Sequence, residues 1–386
     1  MTTAKRFLLY CQHLSGSGHF VRTYEIARAL AEGNEVHLVD GGRPVPRAPV
    51  TLPFPRLALP RIYRGRDGIV PVDASLAIDA VMGERERLLK EGIRRIRPDV
   101  VVVEHFPFSK WLLYPEIIAA VETARMVNNR VKVVCSLRDI SFRTRDDPEP
   151  ERHRRNVLET LHRYFDAVLV HADPAVMRIA SHIPWSGEIP IPVHYTGYVS
   201  EKPGGGPPPP GAGTVIASGG GAGGAALIAP CMAAWKQLQS RGGTDGRRLA
   251  VFAPLFLPRS DLEDLARQAD GEHIRFMPFT ADFLQWMKAA DLSISQAGYN
   301  TCTNVLETRT RAVLVPNPRM SDQAPRARRL AELGLATVVD PAELDAERLS
   351  RAIVETLARP DPEHAVDLDG AANTRRLLEA LCGHGT

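Results

Sequence analysis

Three polar, glycine-bearing stretches hold the residues on which chemistry could be built: QHLSGSGHFV (12–21), ASGGGAGGAAL (217–227) and SISQAGYNT (293–301). In the first, Gly16 and Gly18 allow a tight turn and close approach to a ligand, and the helix that follows offers free N–H groups. His19 comes directly after Gly18. An imidazole with an ordinary pKa near 6.5 can take a proton at neutral pH, and the positive end of a helix keeps it uncharged. His19 is therefore the candidate general base; the alternative is a histidine that binds phosphate or props the loop. A dinucleotide fingerprint competes here, since Asp40 ends the next apolar run, but Val21 stands where a third glycine is needed.

The second stretch matches G-x-G-x-x-G through Gly219, Gly221 and Gly224. No acidic residue follows at the ribose position, so it reads as a generic phosphate cradle or a plain flexible turn. The third ends an apolar run in Ser295, Gln296, Gly298, Tyr299, Asn300 and Thr301, a set that either faces an anion or merely caps a helix. Carboxylates and cations also close apolar runs: Glu104–His105 after four valines, and Arg138–Asp139. Glu104 is the second candidate base. His105, Arg138 and Asp139 are candidate acceptor contacts, with a structural ion pair as the alternative for Arg138–Asp139. His13 and His171 have no role that the pattern demands.

The elements that must position these groups alternate. Apolar runs at 7–11, 35–39, 99–104, 131–137 and 167–172 are separated by segments of helical period, such as Val21, Tyr24, Ala27 and Leu30 on one face before Gly33. Continuous β-branched runs between helices predict a parallel sheet covered on both faces. The run SEKPGGGPPPPGAG (200–213) can be neither helix nor sheet interior and predicts a linker. Beyond it the alternation restarts at 214–218, 248–255, 273–278, 292–296, 312–316 and 336–340. The expected organisation is an α/β domain over 1–199, the linker, a second α/β domain over 214–360 and a helical tail over 361–386. Two such sheets put a cleft between them, with ligands at the strand C-termini.

Composition bounds the class. The chain has 386 residues, 44% hydrophobic and 24% charged, with a formal net charge of +3, which suits two globular cores. Arginines are scattered rather than clustered with aromatics, so nucleic-acid binding is not expected. Five widely spaced cysteines without a C-x-x-C pair predict reduced thiols. Neither a signal peptide nor a membrane span is readable, so a cytoplasmic protein is expected. The basic, apolar segment PRLALPRIYRGRDG (55–68) reads as a loop, or as a cover for an acceptor or a contact with anionic lipid.

Seven motifs in order, YCQHLSGSGHFVRTYEIARAL, EHFPFSK, SLRDI, YTGYV, SGGGAGG, SQAGYNT and VPNPRMSDQAPRARRLAELG, cover residues 10 to about 335. Together they resemble the GT-B glycosyltransferases, within them the family-28-like group that includes the N-acetylglucosaminyltransferase of peptidoglycan synthesis, and more closely a bacterial group known only as predicted glycosyltransferases. The resemblance implies a GT-B fold of two Rossmann-like domains facing a cleft, with the nucleotide-sugar donor in the C-terminal one. It implies that Phe279 lines the base pocket, that Gly18, Gly219, Gly220 and the Ser295–Thr301 turn serve the donor, and that Asp322 and Gln323 reach its sugar. It also places His19 beside the donor's anomeric carbon. Where the group usually carries a ribose-binding glutamate this chain has Asn304, with Glu307 one turn later. An amide bonds a diol without the charge-assisted strength of a carboxylate, so ribose recognition is altered.

The activity so implied is transfer of a sugar, from a UDP-sugar by preference, to a hydroxyl acceptor, small or lipid-linked. No cofactor or metal is expected, because no D-x-D stands outside the tail pair Asp367–Asp369, and inversion is expected because no E-x7-E pair follows Glu307. A nucleotide-sugar hydrolase or epimerase, or a non-catalytic binding subunit, would use the same scaffold. Peripheral membrane contact is compatible with all three.

Overall fold

The apolar runs become parallel strands in a computed structural model that describes residues 4–14, 18–44, 52–66, 68–140, 149–207, 209, 214–218, 224–253, 258–277, 280 and 282–383. Gly219, Gly220 and Phe279 lie outside the described residues.

The chain divides into two compact units, 1–199 with 369–386, and 200–368. In the first come β1 (Arg6–Cys11), α1 (Gly18–Leu30), β2 (Glu35–Asp40), β3 (Arg56–Ala58), β4 (Ile62–Arg64), β5 (Ile69–Pro71), α2 (Ile78–Ile96) and β6 (Val100–Glu104), then α3 (Tyr114–Val127), β7 (Lys132–Arg138), α4 (Pro150–Tyr164), β8 (Ala167–His171) and β9 (Val193–Tyr195). Seven of these strands form a parallel sheet in the order β3-β2-β1-β6-β7-β8-β9. The three-residue strands β3 and β9, and the antiparallel pair β4–β5, are too short to carry a readable period.

The second unit runs β10 (Val215–Ser218), α5 (Ala225–Ser240), β11 (Leu249–Phe252), α6 (Arg259–Arg267), β12 (Ile274–Met277), α7 (Phe283–Ala289), β13 (Leu292–Ser295), α8 (Tyr299–Thr308), β14 (Ala312–Leu314), α9 (Gln323–Glu332), β15 (Thr337–Val338) and α10 (Ala346–Leu357). Its parallel sheet has the order β12-β11-β10-β13-β14-β15. Val215, Ala217, Ile294 and Val313 of this sheet pack with Ile228 and Trp235 of α5 and Ile353 of α10.

Both sheets change winding direction at their first strand. β1 lies between β2 and β6, and β10 between β11 and β13, so each has a topological switch point where ligands of doubly wound sheets bind. The C-terminal ends of β1 and β6 adjoin at the first switch point. β10 and β13 end side by side at the second, with Ser218 opposite Ser295.

The C-terminal segment departs from the expected tail over 361–386. Residues up to 368 stay with the second unit, where His364 Nε2 lies 3.0 Å from the Leu306 carbonyl oxygen. From Asp369 the chain rejoins the first unit as α11 (Gly370–Gly383), lying on α1. Leu378 is fully buried with Ile26 and Leu30, which contributes about 1.5–3 kcal/mol for such a side chain. Arg375 pairs with Glu32 at 2.9 Å, and Asn34 donates to Glu379 at 2.8 Å. Gly370 is required at the start of α11, because a Cβ there would lie 2.6 Å from the Gly197 carbonyl oxygen.

Candidate active site

Glu104 ends β6 with 1% of its surface exposed, and three basic side chains converge on it. His19, at the second position of α1, places Nδ1 2.5 Å from Oε1. Arg22, one helical turn further along α1, donates to the same oxygen. Lys110 donates to Oε2. His19 and Arg22 share a face because they are three residues apart on one helix, and the β1–β6 pairing brings that face to Glu104. Burial by itself would push the Glu104 acid up, but His19, Lys110 and Arg22 outweigh it and hold the carboxyl well below the usual range.

His19 behaves oppositely. Burial lowers its pKa to about 4, against the pull of the Glu104 charge, so the ring is neutral at pH 7. With Nδ1–H donating to Glu104, the acceptor lone pair is on Nε2, which makes no hydrogen bond among the described residues. A carboxylate fixing the tautomer of a base whose other nitrogen is open is the arrangement used for proton abstraction from a hydroxyl. Both oxygens of the carboxylate are engaged, by the His19 ring and by two cations, Arg22 and Lys110, which suits it to orienting the imidazole.

His105 follows Glu104 in the left-handed region, with φ of 63°. Its ring stands edge-on to His19 with centroids 5.1 Å apart. It is 1% exposed, and neither ring nitrogen has a partner among the described residues. Arg138 and Asp139, both buried, turn to Ile140: Arg138 Nε donates to its carbonyl at 3.2 Å, and its N–H donates to Asp139 at 2.8 Å. His19, Glu104 and His105 offer donor atoms within 4.8 Å of one another, a spacing that could hold a metal. The set suits a cation poorly, because the one carboxylate already balances Arg22 and Lys110.

His171 is a satisfied core histidine, 2.7 Å from Ser136 Oγ and 2.9 Å from Thr196 Oγ1, with its pKa lowered to about 3 by burial. His171 and His19 thus resist protonation in the folded state, whereas in the unfolded chain each titrates near 6.5. Between pH 6.5 and 4 the unfolded chain binds more protons, so stability falls as pH is lowered through that window, by at most about 1.4 kcal/mol per pH unit for each site. The melting temperature should drop between pH 7 and 4, and His171→Gln should reduce the slope. An unchanged slope would assign the acid sensitivity elsewhere.

In the second unit the SISQAGYNT turn is built by α9. Gln323 Oε1 accepts from the backbone N–H of Ala297 at 3.1 Å and of Asn317 at 2.9 Å, tying the turn after β13 to the loop after β14. Arg326 donates to the Ala297 carbonyl at 2.7 Å and to Asp322 at 2.9 Å. Gly298 is the N-cap of α8, so Tyr299, Asn300 and Thr301 occupy its first turn, at the positive end of the helix. Ser295 Oγ and Asn304 Oδ1 are buried without a partner among the described residues. Glu307 pairs with Lys202 at 2.9 Å, so its carboxylate is engaged within the second unit. Gln296 is buried beside the turn. Arg22, Lys110 and Arg326 were not singled out by their spacing. For Arg22 the available signal was its place three residues after His19.

Two doubly wound parallel sheets in one chain give it the fold of the GT-B glycosyltransferases to which it is similar. The calicheamicin glycosyltransferase CalG4 superposes with a TM-score of 0.62 at 15% identity, over 99% of both chains. MurG of Acinetobacter baumannii does so with a TM-score of 0.53 at 16% identity, over 98% of both. Residues 256–375 match the glycosyltransferase family 28 C-terminal domain, so that segment of the chain is similar to that family. A Salinibacter ruber relative is 35% identical over 103 residues, 26% of this chain and 27% of that protein. Its name is UDP-N-acetylglucosamine--N-acetylmuramyl-(pentapeptide) pyrophosphoryl-undecaprenol N-acetylglucosamine transferase. The match thus spans about a quarter of that curated relative's length. No described helix is long and apolar enough to cross a membrane.

Proposed function

We propose that this protein transfers a sugar from a nucleoside-diphosphate donor, a UDP-sugar by preference, to an acceptor hydroxyl, with inversion and without a metal. The observation that carries this reading is the His19 imidazole held through Nδ1 by the buried Glu104 carboxylate, with Nε2 open among the described residues. His19 Nε2 takes the acceptor's hydroxyl proton while the acceptor oxygen bonds to the anomeric carbon. The bond from that carbon to the diphosphate oxygen breaks, and the diphosphate leaves with the electron pair. Glu104 stabilises the imidazolium that results. The N–H groups of Tyr299, Asn300 and Thr301 at the start of α8 balance the charge of the diphosphate. Gln323 holds the turn that presents them, and Asn304 takes the ribose in place of a carboxylate.

The relative's name supports the uridine donor and a lipid-linked acceptor, and the family 28 domain supports the donor side. Thermal-shift measurements against UDP-, GDP- and dTDP-sugars, with and without EDTA, test the proposal. The largest stabilisation should come from uridine donors and be indifferent to the chelator, since a ligand that binds only the native state raises its stability by mass action. No shift with any of them would remove the donor site. A shift lost in EDTA would remove the metal-free mechanism, and free sugar released without any acceptor would mark a hydrolase.

A further inference from the structure

The hexapeptide His105–Lys110 turns back on the residue that precedes it. Both its ends are non-glycine residues in the left-handed region, His105 at φ 63° and Lys110 at φ 65°. Such conformations are strained for residues other than glycine and persist where the surroundings over-determine them. Here the His105 N–H donates to the Ser136 carbonyl at 2.9 Å, and the Ser109 N–H to the His105 carbonyl at 3.0 Å. The result is that Lys110, six residues after Glu104, brings its ammonium back onto the Glu104 carboxylate, with 9% of the Lys110 side chain exposed. Arg22 meets the same carboxylate with 1% of its side chain exposed.

A lone buried carboxylate 2.5 Å from an imidazole would draw a proton onto the ring and leave no base at neutral pH. Two full cations on that carboxylate change the balance. We propose that Lys110 is a positioning residue for His19: with Arg22 it fixes and offsets the Glu104 carboxylate, so that Glu104 orients the imidazole rather than charging it. This rests on His19 being the base of the proposed transfer. The charged and titratable groups facing His19 are Glu104, His105 and Lys110 from β6 and its loop, Arg22 from α1 and Arg138 from the end of β7. Burial is the largest influence lowering the His19 pKa; Glu104 acts to raise it, and Lys110 and Arg138 act with burial to lower it.

The test needs neither donor nor acceptor. Diethyl pyrocarbonate modifies the neutral imidazole, so its rate at His19, read by peptide mass spectrometry across pH 3.5–8, reports the titration of that ring. In the unmodified protein the midpoint should lie near 4. Lys110→Met should move it upward by about one unit or more, the effect of a charge within about 4–6 Å. Lys110→Arg, which keeps the charge, should leave it close to the starting value. A wild-type midpoint at or above the ordinary histidine value overturns the proposal without any variant. So does an unchanged midpoint in Lys110→Met, or an equal shift in both variants, which would make shape rather than charge the contribution. Loss of sugar transfer with these midpoints intact would instead count against His19 as base.

Discussion

Replacing His19 with alanine or glutamine lowers turnover by about 10²–10⁴-fold, the range for loss of a general base, while donor affinity stays within a few-fold. The split follows from where the histidine sits. Its ring is bound to Glu104 in the first unit, whereas the turn assigned to the diphosphate, Ser295–Thr301, belongs to the second. Nucleoside-diphosphate release from the sugar donor, followed with acceptor hydroxyl compounds present, gives the turnover, and titration calorimetry with the donor gives the affinity. Glutamine keeps a polar side chain of similar reach but offers no basic nitrogen, so both variants should fall together. If affinity and activity decline in proportion, His19 is a donor ligand. Glu104 is then a weak replacement base, since Arg22 and Lys110 occupy its oxygens and lower its affinity for a proton.

The largest stability effect should come from Arg85→Ala. Arg85 is fully buried on α2 and uses all five of its N–H donors. Nε and Nη2 donate to the two Glu116 carboxylate oxygens at 2.8 and 2.7 Å, and Nη2 also donates to Gln12 Oε1 at 2.7 Å. Nη1 donates to the Pro60 and Gly41 carbonyls at 2.6 and 3.4 Å. Tyr10 completes the cluster by donating to Glu116 at 2.5 Å, its phenol kept protonated by burial and by the neighbouring carboxylate. Removing the guanidinium leaves Glu116 charged, 1% exposed and without its cation, a loss of about 3–5 kcal/mol for a broken buried pair. Arg85→Lys should recover little, because an ammonium cannot fork onto both oxygens and reach the carbonyls. Denaturant unfolding followed by a probe in the first unit measures it. A loss under about 1 kcal/mol would mean that water replaces these bonds at little cost. Adding Glu116→Leu to Arg85→Met should restore much of the loss, since the pair would then be apolar on both sides.

That cluster also reaches the site, because Gln12 directly follows β1 and begins the loop that leads to His19. Arg85 therefore fixes the chain entering the active loop, and Lys110 and Arg22 fix the carboxylate on its far side.

Much of the molecule was determined by the sequence alone. Runs such as FLLYC, VVVVE and AVLVHA carry unbroken apolar stretches with no polar alternation, which commits them to strands buried on both faces, and the helical segments between them commit the sheet to parallel pairing. Those rules are local, so they can be read in one dimension. They also marked His19, Glu104 and the SQAGYNT turn, because each lies at a strand's C-terminal end or in the segment that follows one, and strand ends are where such sheets bind ligands.

Tertiary structure decided which charges meet. Arg22 reads as one more polar residue on α1, and Lys110 as an exposed lysine in a loop. Only the β1–β6 neighbourhood and the two left-handed turns of the 105–110 loop bring both to Glu104. The sequence offers no sign that Glu307 meets Lys202, 105 residues earlier, yet the two pair in the second unit. The last helix gave no sign of which unit it would join, since its apolar stripe of Leu377, Leu378 and Leu381 fits any apolar groove of helical spacing. α1 supplied that groove, and Glu32 and Asn34 supplied the partners for Arg375 and Glu379. Periodicity says which face of an element is buried, whereas the partner it is buried against depends on the order of strands in the sheet, set by contacts far apart in the chain.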